Sequence, residues 1–394
     1  MKLRKDKWER IRIGEICILQ RGLTYSSSEL GDGVGVPFYN LKSVKRNGDN
    51  SKDKDFKYFL GAIKEKQLTN KDDILIALTD LTPTSELIGS PLLITQNEKT
   101  AYSADLGKID FSKDDIIPFL CYCFLQSNEY RKFIKQFSQG TNVKHLKISG
   151  FYDFQIPLPP LEEQKQIAEL FQSIENVIEQ VDGQERNLKS LQKNLVDGLM
   201  KPTPEFGNLL NDNNCKTATF EAIAECDKKY PEHNKEVERF IGLENIEPEN
   251  FQIQGFGLVS NGTTFTKRFA KGDVLFGKRR AYLKKVAVAD FDGICSGDII
   301  VIRSKGKSLL QGLLPYYISS EAFIYHAVST SAGSLSPRTK WKDLAEMEVC
   351  IPDIKTQEKI LEVFAQIDLT MKQLKQQKQT LKNLKQKLLN EILG

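Results

Sequence analysis

The sequence predicts an α+β protein: two globular domains of mixed α/β structure, separated by two long helices that pack as an antiparallel coiled coil, related by a pseudo-twofold internal repeat. Three observations lead there. The 394-residue chain is too long for one ordinary core and fits two domains of roughly 150 residues plus a remainder. From Gly140, and again from Gly333, 193 residues later, it runs through a short loop to an Ile-Pro and then into a long apolar-striped segment. The first copy reads IPLPPLEEQKQIAELFQSIE from Ile156 and the second IPDIKTQEKILEVFAQID from Ile351. The division that follows is residues 1–155, 156–200, 201–350 and 351–394.

In the first globular segment KDDILIA (Lys71 to Ala77) reads as a turn followed by a buried strand, and it has a counterpart in KGDVLFG (Lys271 to Gly277). SADLGKI from Ser103 is in register with SGDIIVI from Ser296, and SNEYRKFIKQFSQGT from Ser127 aligns without gaps with SEAFIYHAVSTSAGS from Ser320 as a helix-like segment. The first long helix starts after Pro159-Pro160, with Glu162 and Glu163 in its first turn, where negative charge suits the helix dipole. Ile167, Ile174, Val181, Leu188 and Leu195 fall at successive a positions of a heptad, with Leu170, Val177 and Leu191 at d. The second helix repeats the a column as Ile360, Ile367, Leu374, Leu381 and Leu388. Both stripes weaken at one place, where Gln184 and Glu185 correspond to Gln377 and Lys378. Such a stripe calls for a partner helix: the other copy, or the same helix of a second chain. About 40 helical residues make a rod of roughly 60 Å.

The repeat also marks where the halves differ. After the matched strand the second half reads GKRRAYLKK, and Lys267 to Lys285 holds eight basic residues against one acidic residue, Asp273. Arginine and lysine beside an aromatic suit phosphates and guanine edges, so Lys278, Arg279, Arg280, Tyr282, Lys284 and Lys285 are candidate nucleic-acid contacts, with Gly277 allowing close backbone approach. The loop before the second helix adds Arg338 and Lys340. In the first half the matching stretch, ALTDLTPT, is nearly uncharged, and the candidates are Gln20, Arg21, Lys42, Lys45, Arg46, Asn47, Lys144, His145 and Lys147.

Other chemistries find little footing. No Asn-Pro-Pro-aromatic motif, dinucleotide fingerprint or Walker A sequence occurs. Three scattered histidines and seven scattered cysteines lack ligand spacing, so no metal site, zinc ribbon or disulfide framework is expected and the thiols read as reduced. Asp153, Glu163 and Lys165 could be assembled into a metal-dependent nuclease site, but the last two read more simply as charges on a helix's first turn. A coiled-coil scaffold with no nucleic-acid role is the third reading. No apolar run approaches the ~18 to 20 residues of a membrane helix, and the basic start lacks an apolar stretch behind it, which points to a cytoplasmic protein without membrane contact.

On IPLPPLEEQKQIAELFQSIE, together with LFGKRRAYLKKVAVADFDGICSGDIIVIRSK from Leu275, the sequence resembles the specificity subunit of type I restriction-modification enzymes over essentially its whole length; the second copy, IPDIKTQEK, lacks the double proline. The resemblance implies that residues 1–155 and 201–350 are target recognition domains, each reading one half of a bipartite, asymmetric site in double-stranded DNA, and that the helices set the spacer between halves. It also implies two modification (methyltransferase) subunits as partners, which bind S-adenosylmethionine, and restriction (motor-nuclease) subunits. This chain would then be non-catalytic, with no cofactor of its own.

Overall fold

The computed structural model describes residues 3–45, 57–113, 115–200, 215–226 and 237–393. The chain forms two compact units, Met1–Asp182 with Gln376–Gly394, and Gly183–Lys375. The boundary by contacts falls inside both long helices, so each unit contains a globular part and its own section of the helix pair.

In the first unit an antiparallel sheet runs in the order Cys17–Arg21, Leu106–Phe111, Ile74–Ala77, Pro91–Leu93. Ile74–Ala77 is buried throughout because it is covered on both faces. Successive strand residues point to opposite faces, so Ile74 and Ile76 join the helical core around Leu120, Tyr130 and Phe151, while Leu75 and Ala77 join Tyr39, Leu92 and Tyr102. A second, five-stranded sheet includes Val36–Tyr39 paired in parallel with Thr100–Tyr102.

The second unit repeats this plan. Its sheet runs Ala224–Cys226, Ile299–Ser304, Val274–Gly277, Val286–Val288, with Val274 and Phe276 facing one core and Leu275 the other. Ile74 opposes Ile109 in the first unit and Val274 opposes Ile302 in the second. The helices Asn128–Lys135 and Glu321–Ser329 are capped alike: Ser127 Oγ accepts from Tyr130 N and Ser320 Oγ from Phe323 N, both at 3.2 Å. Gly140 and Gly333 take φ of +110° and +109°, and a Cβ on Gly140 would lie 2.2 Å from the Val143 carbonyl oxygen.

The first long helix is Leu161–Gly198 and the second Ile354–Leu393, the latter capped by Asp353, whose Oδ1 accepts from Thr356 N at 2.9 Å. They run antiparallel. In the first unit Lys385 pairs with Glu175 and Lys378 with Asp182; in the second Gln192 Nε2 donates to Asp368 Oδ1 at 2.8 Å. The residue numbers in each pair add to the same total, which is the signature of an antiparallel register.

The expected a column is turned inward: Ile167, Val181, Leu195, Ile360, Ile367 and Leu374 are buried, and Ile174, Leu188, Leu381 and Leu388 are half-buried. Of the expected d column only Leu170 is, half-buried against the first unit's core. Val177 and Leu191 are 38% and 48% exposed, and the companion column lies four residues on from each a position, not three: Phe171, Ile178, Glu185, Gln192 and Leu199, matched by Phe364, Met371, Lys378, Lys385 and Ile392. Both spacings lie on one helix face, and only the partner decides between them.

A further correction concerns the thiols. Cys215 and Cys350 are joined as a disulfide between the antiparallel strands Cys215–Thr219 and Glu348–Pro352, with Cα atoms 5.8 Å apart; among the described residues the other five cysteines form no disulfide. Residues 135 apart in sequence gave no sign that these strands would be neighbours.

The plan shared by the two halves includes a buried glutamine at each helix start. Gln164 Nε2 donates to the carbonyls of Asp115 and Pro159, and its Oε1 accepts from Ile117 N. Gln357, 193 residues on, donates to Ser308 and Pro352 and accepts from Leu310 N. Every partner is displaced by the same 193 residues. Each glutamine ties the incoming strand and the loop before the domain's helices to the first turn of a long helix.

Candidate nucleic-acid interface

In the second unit the chain leaves Val274–Gly277 along the loop that precedes the second long helix. Lys278 N donates to Asp298 O at 2.9 Å, Thr339 N to Lys278 O at 3.1 Å and Arg280 N to Pro337 O at 2.8 Å. Arg279 bridges Arg338, which exchanges both backbone bonds with Ala332 at 3.0 Å. Arg280 and Lys284 sit at positive φ, +53° and +52°, on either side of the short turn Ala281–Leu283. The loop is therefore a fixed strip whose backbone is paired on one side.

Its side chains divide into two groups. Arg338 Nε and Nη2 donate to the two Asp298 oxygens at 2.6 and 3.1 Å, Arg279 Nη1 lies 3.7 Å from Asp298 Oδ2, and Arg279 Nε and Nη2 donate to Ser336 Oγ at 3.3 and 3.1 Å. Both guanidiniums remain more than 40% exposed. The Arg338 guanidinium holds the Asp298 carboxyl below its ordinary range, against the smaller opposing effect of burial. Half-burial, with Lys267 and Arg338 nearby, lowers the Lys278 ammonium. Arg280, Tyr282 and Lys340 are exposed.

Lys284 and Lys285 are committed within the protein, the first to Glu321, which Lys193 also reaches, and the second to the Leu243 carbonyl at 2.6 Å. Gly277 is buried, and a Cβ there would press on Leu243 at 3.0 Å and Lys285 at 3.2 Å. Its glycine serves the protein's own packing, which corrects the expectation that it admits a ligand.

The first unit builds the same station from other chemistry. Thr79–Asp80 pairs with Lys144–Leu146, with Thr79 opposite His145 and His145 opposite Gln139, as Arg279 and Ala332 flank Arg338. Thr79 Oγ1 donates to Asp105 Oδ1 at 2.9 Å, and Asp105 stands 193 residues before Asp298. Buried Asp80 accepts from Thr82 N, Leu87 N and Ile88 N, and buried Arg131 donates to the carbonyls of Ile88 and Glu86, so the uncharged loop is clamped from below. A shallow cleft of about 210 Å³ opens between Tyr25, Asn40, Lys42, Thr79, Leu81, Asp105 and Val143.

Among the expected first-unit residues, Arg21 is exposed and donates from Nε to Ala104 O at 2.8 Å, beside Asp105. His145 and Lys45 are exposed, Lys144 is half-buried with Nζ on the Gly140 carbonyl at 2.7 Å, and Gln20 is half-buried on its strand. Lys147 is exposed at the start of Ile148–Asp153. Arg46 and Asn47 lie outside the described residues. The two aspartates were missed, although the aligned SAD and SGD of the repeat displayed them.

The residues of the nuclease reading go separate ways. Glu163 accepts from Trp8 Nε1 and Arg4 N, Lys165 pairs with Glu162, and Asp153 lies 3.9 Å from Arg12. Among the described residues no group of three His, Cys, Asp or Glu is placed to hold a metal, and no helix is long and apolar enough to cross a membrane.

Two like-folded units thus each present one loop station, built on the same frame but with different side chains. Residues 5–189 and 247–383 match the profile of the type I restriction modification DNA specificity domain. The chain is 22% identical to the MjaVIII specificity subunit of Methanocaldococcus jannaschii, covering 98% of this chain and 92% of that protein. It is also 22% identical to the EcoKI specificity subunit of Escherichia coli K12, over 98% and 88%. In fold it resembles the type I S subunit from M. genitalium, with a TM-score of 0.54 at 13% identity over 100% and 98% of the two chains. A chain from a solved type I restriction-modification assembly gives 0.52 at 17% identity, over 97% and 96%. The chain belongs to the type I restriction-modification specificity family. Its function is that of a specificity subunit, sequence recognition in DNA.

Proposed function

We propose that each unit reads one half of a bipartite, asymmetric site in double-stranded DNA and that the antiparallel helices fix the unspecified spacer. The observation that carries this reading is the shared station with unlike chemistry: Arg279 and Arg338 over Asp298 in one unit, Thr79 and His145 over Asp105 in the other. A common frame holds the reading edge at one place while the side chains on it choose the base. Arg280, Tyr282, Lys340 and Lys278 extend the surface in the second unit, and Lys42, Lys45, Arg21, Lys144 and His145 in the first. Lys284 and Lys285 support the loop from within.

The chain itself is non-catalytic and holds no cofactor. It scaffolds two modification subunits, which carry S-adenosylmethionine, and restriction subunits, in the cytoplasm. Mapping modified adenines in the host genome with and without this gene tests the proposal. A bipartite motif that disappears on deletion is the expected result, and a modification pattern indifferent to the deletion would sink it.

A further inference from the structure

The Asp298 station specifies more than a basic patch. A guanidinium has two donor edges, one formed by Nε with an Nη and the other by the two terminal Nη groups. Asp298 occupies the first edge of Arg338 through both carboxylate oxygens. On the second edge Nη1 makes only a long 3.4 Å bond to Ser336 O, and the side chain is 45% exposed. That remaining forked edge matches the O6 and N7 acceptors of guanine in the major groove.

The surroundings fix where the edge points. Arg338 is bonded in both directions to Ala332 and bridged to Arg279, and the Asp298 backbone oxygen accepts from Lys278 N. Arg279 is held through the same type of edge, Nε with Nη2, by Ser336. An exposed ion pair contributes little to folding, whereas a guanidinium fixed in advance loses less freedom on binding. The first unit keeps the carboxylate, as Asp105, but gives it Thr79, with His145 in the place of Arg338. The aspartate is thus the constant part of the station and the residue above it the variable part.

Resting on the reading of this chain as a DNA-recognition subunit, we propose that Asp298 is a positioning residue that presents Arg338 to a guanine in the half-site read by the second unit. That half-site contains a G·C pair at the Arg338 position. The first unit, with a threonine and a histidine there, reads its corresponding pair by a different contact.

The test is selection from a randomised duplex library by the complete complex with its modification subunits, for the natural chain, Arg338→Lys and Asp298→Asn. Arg338→Lys keeps the charge and the stem but not the fork. It lowers the preference for one G·C pair by roughly tenfold, the scale of one bidentate contact, and leaves the preference at the other half-site in place. Asp298→Asn relaxes the same pair severalfold, while the other half-site keeps its full preference. That retained preference reports an assembled complex, and Arg338→Lys carries the test alone if Asp298→Asn impairs folding.

Unchanged preferences at every position in both variants would overturn the inference, as would relaxation at an A·T pair. Relaxation of a different pair by Asp298→Asn would make the aspartate a reader in its own right and overturn its positioning role. Failure of the natural complex to enrich any bipartite motif would instead remove the DNA-reading function on which the inference rests.

Discussion

Replacing Gln357 with leucine tests the joint between the second unit and its long helix. The glutamine is fully buried and holds three backbone groups at 2.7 to 2.8 Å: the carbonyls of Ser308 and Pro352 and the amide of Leu310. Leucine fills much the same volume and satisfies none of them. Ser308 is exposed, so its carbonyl can turn to water, but the Pro352 carbonyl and Leu310 amide lie deeper. At roughly 1–3 kcal/mol for each buried group left without a partner, two such groups give a loss of about 3 kcal/mol. For a unit of this size that is a fall of roughly 10 °C in melting temperature. The chain has two tryptophans, Trp8 in the first unit and Trp341 in the second, so in a Trp8→Phe background the fluorescence of Trp341 during urea unfolding follows the second unit alone. A change below about 0.5 kcal/mol, the level of an ordinary surface substitution, would refute the claim that this glutamine joins strand, loop and helix.

Lys385→Met removes the cation from the nearly buried Lys385–Glu175–Gln126 group and costs about 2 kcal/mol, reduced from a fully buried pair because Glu175 keeps some access to water. Glu175→Leu in the same chain recovers most of that loss in a double-mutant cycle; a Lys385→Met chain as stable as the natural one contradicts the assignment. For pH, the Trp8 indole, followed by Arg4, holds the Glu163 carboxyl below its ordinary range, against a partial opposing effect of burial. Because the folded value is depressed, the stability it contributes is present above the unfolded value of about 4.5 and is lost as pH falls through the folded value. Glu163→Gln therefore flattens the acid limb of first-unit stability, monitored by Trp8, and an unaltered limb speaks against the role. Arg279→Ala relaxes one base pair of the second half-site by about 1–3 kcal/mol in competition binding, and unchanged binding to the cognate duplex argues against base contact. Lys340→Ala weakens binding uniformly across sequences and reduces the salt slope by about one; a sequence-dependent loss would place it on a base instead.

Much of the fold was legible because its signals are local. The buried strands at Ile74 and Val274, the serine-capped helices after Ser127 and Ser320 and the a columns of both long helices all follow from patterns within a few residues. The second column was misplaced beyond Leu170 because Val177 and Leu191 are apolar and Glu185, Gln192, Lys378 and Lys385 are not, while burial follows the facing helix instead of the side chain's polarity. At the site the basic loop was legible as composition, but its division was not. Lys284 and Arg279 look alike in sequence; one is paired with Glu321 at 28% exposure, and the other, beside Asp298 and Ser336, stays 41% exposed.

By itself the sequence determined the two-fold plan, the long helices, the offset of 193 residues and the contrast between a basic and a nearly uncharged loop. These are written in spacing and residue type, which act over one turn of helix or one strand. Only the tertiary structure decided which charges are spent inside the protein, which cysteines meet, and that Asp105 stands beside Thr79 and Asp298 beside Arg338. The physical reason is that a charged or hydrogen-bonding side chain is defined by its partner, and here the partners arrive from loops and strands tens of residues away.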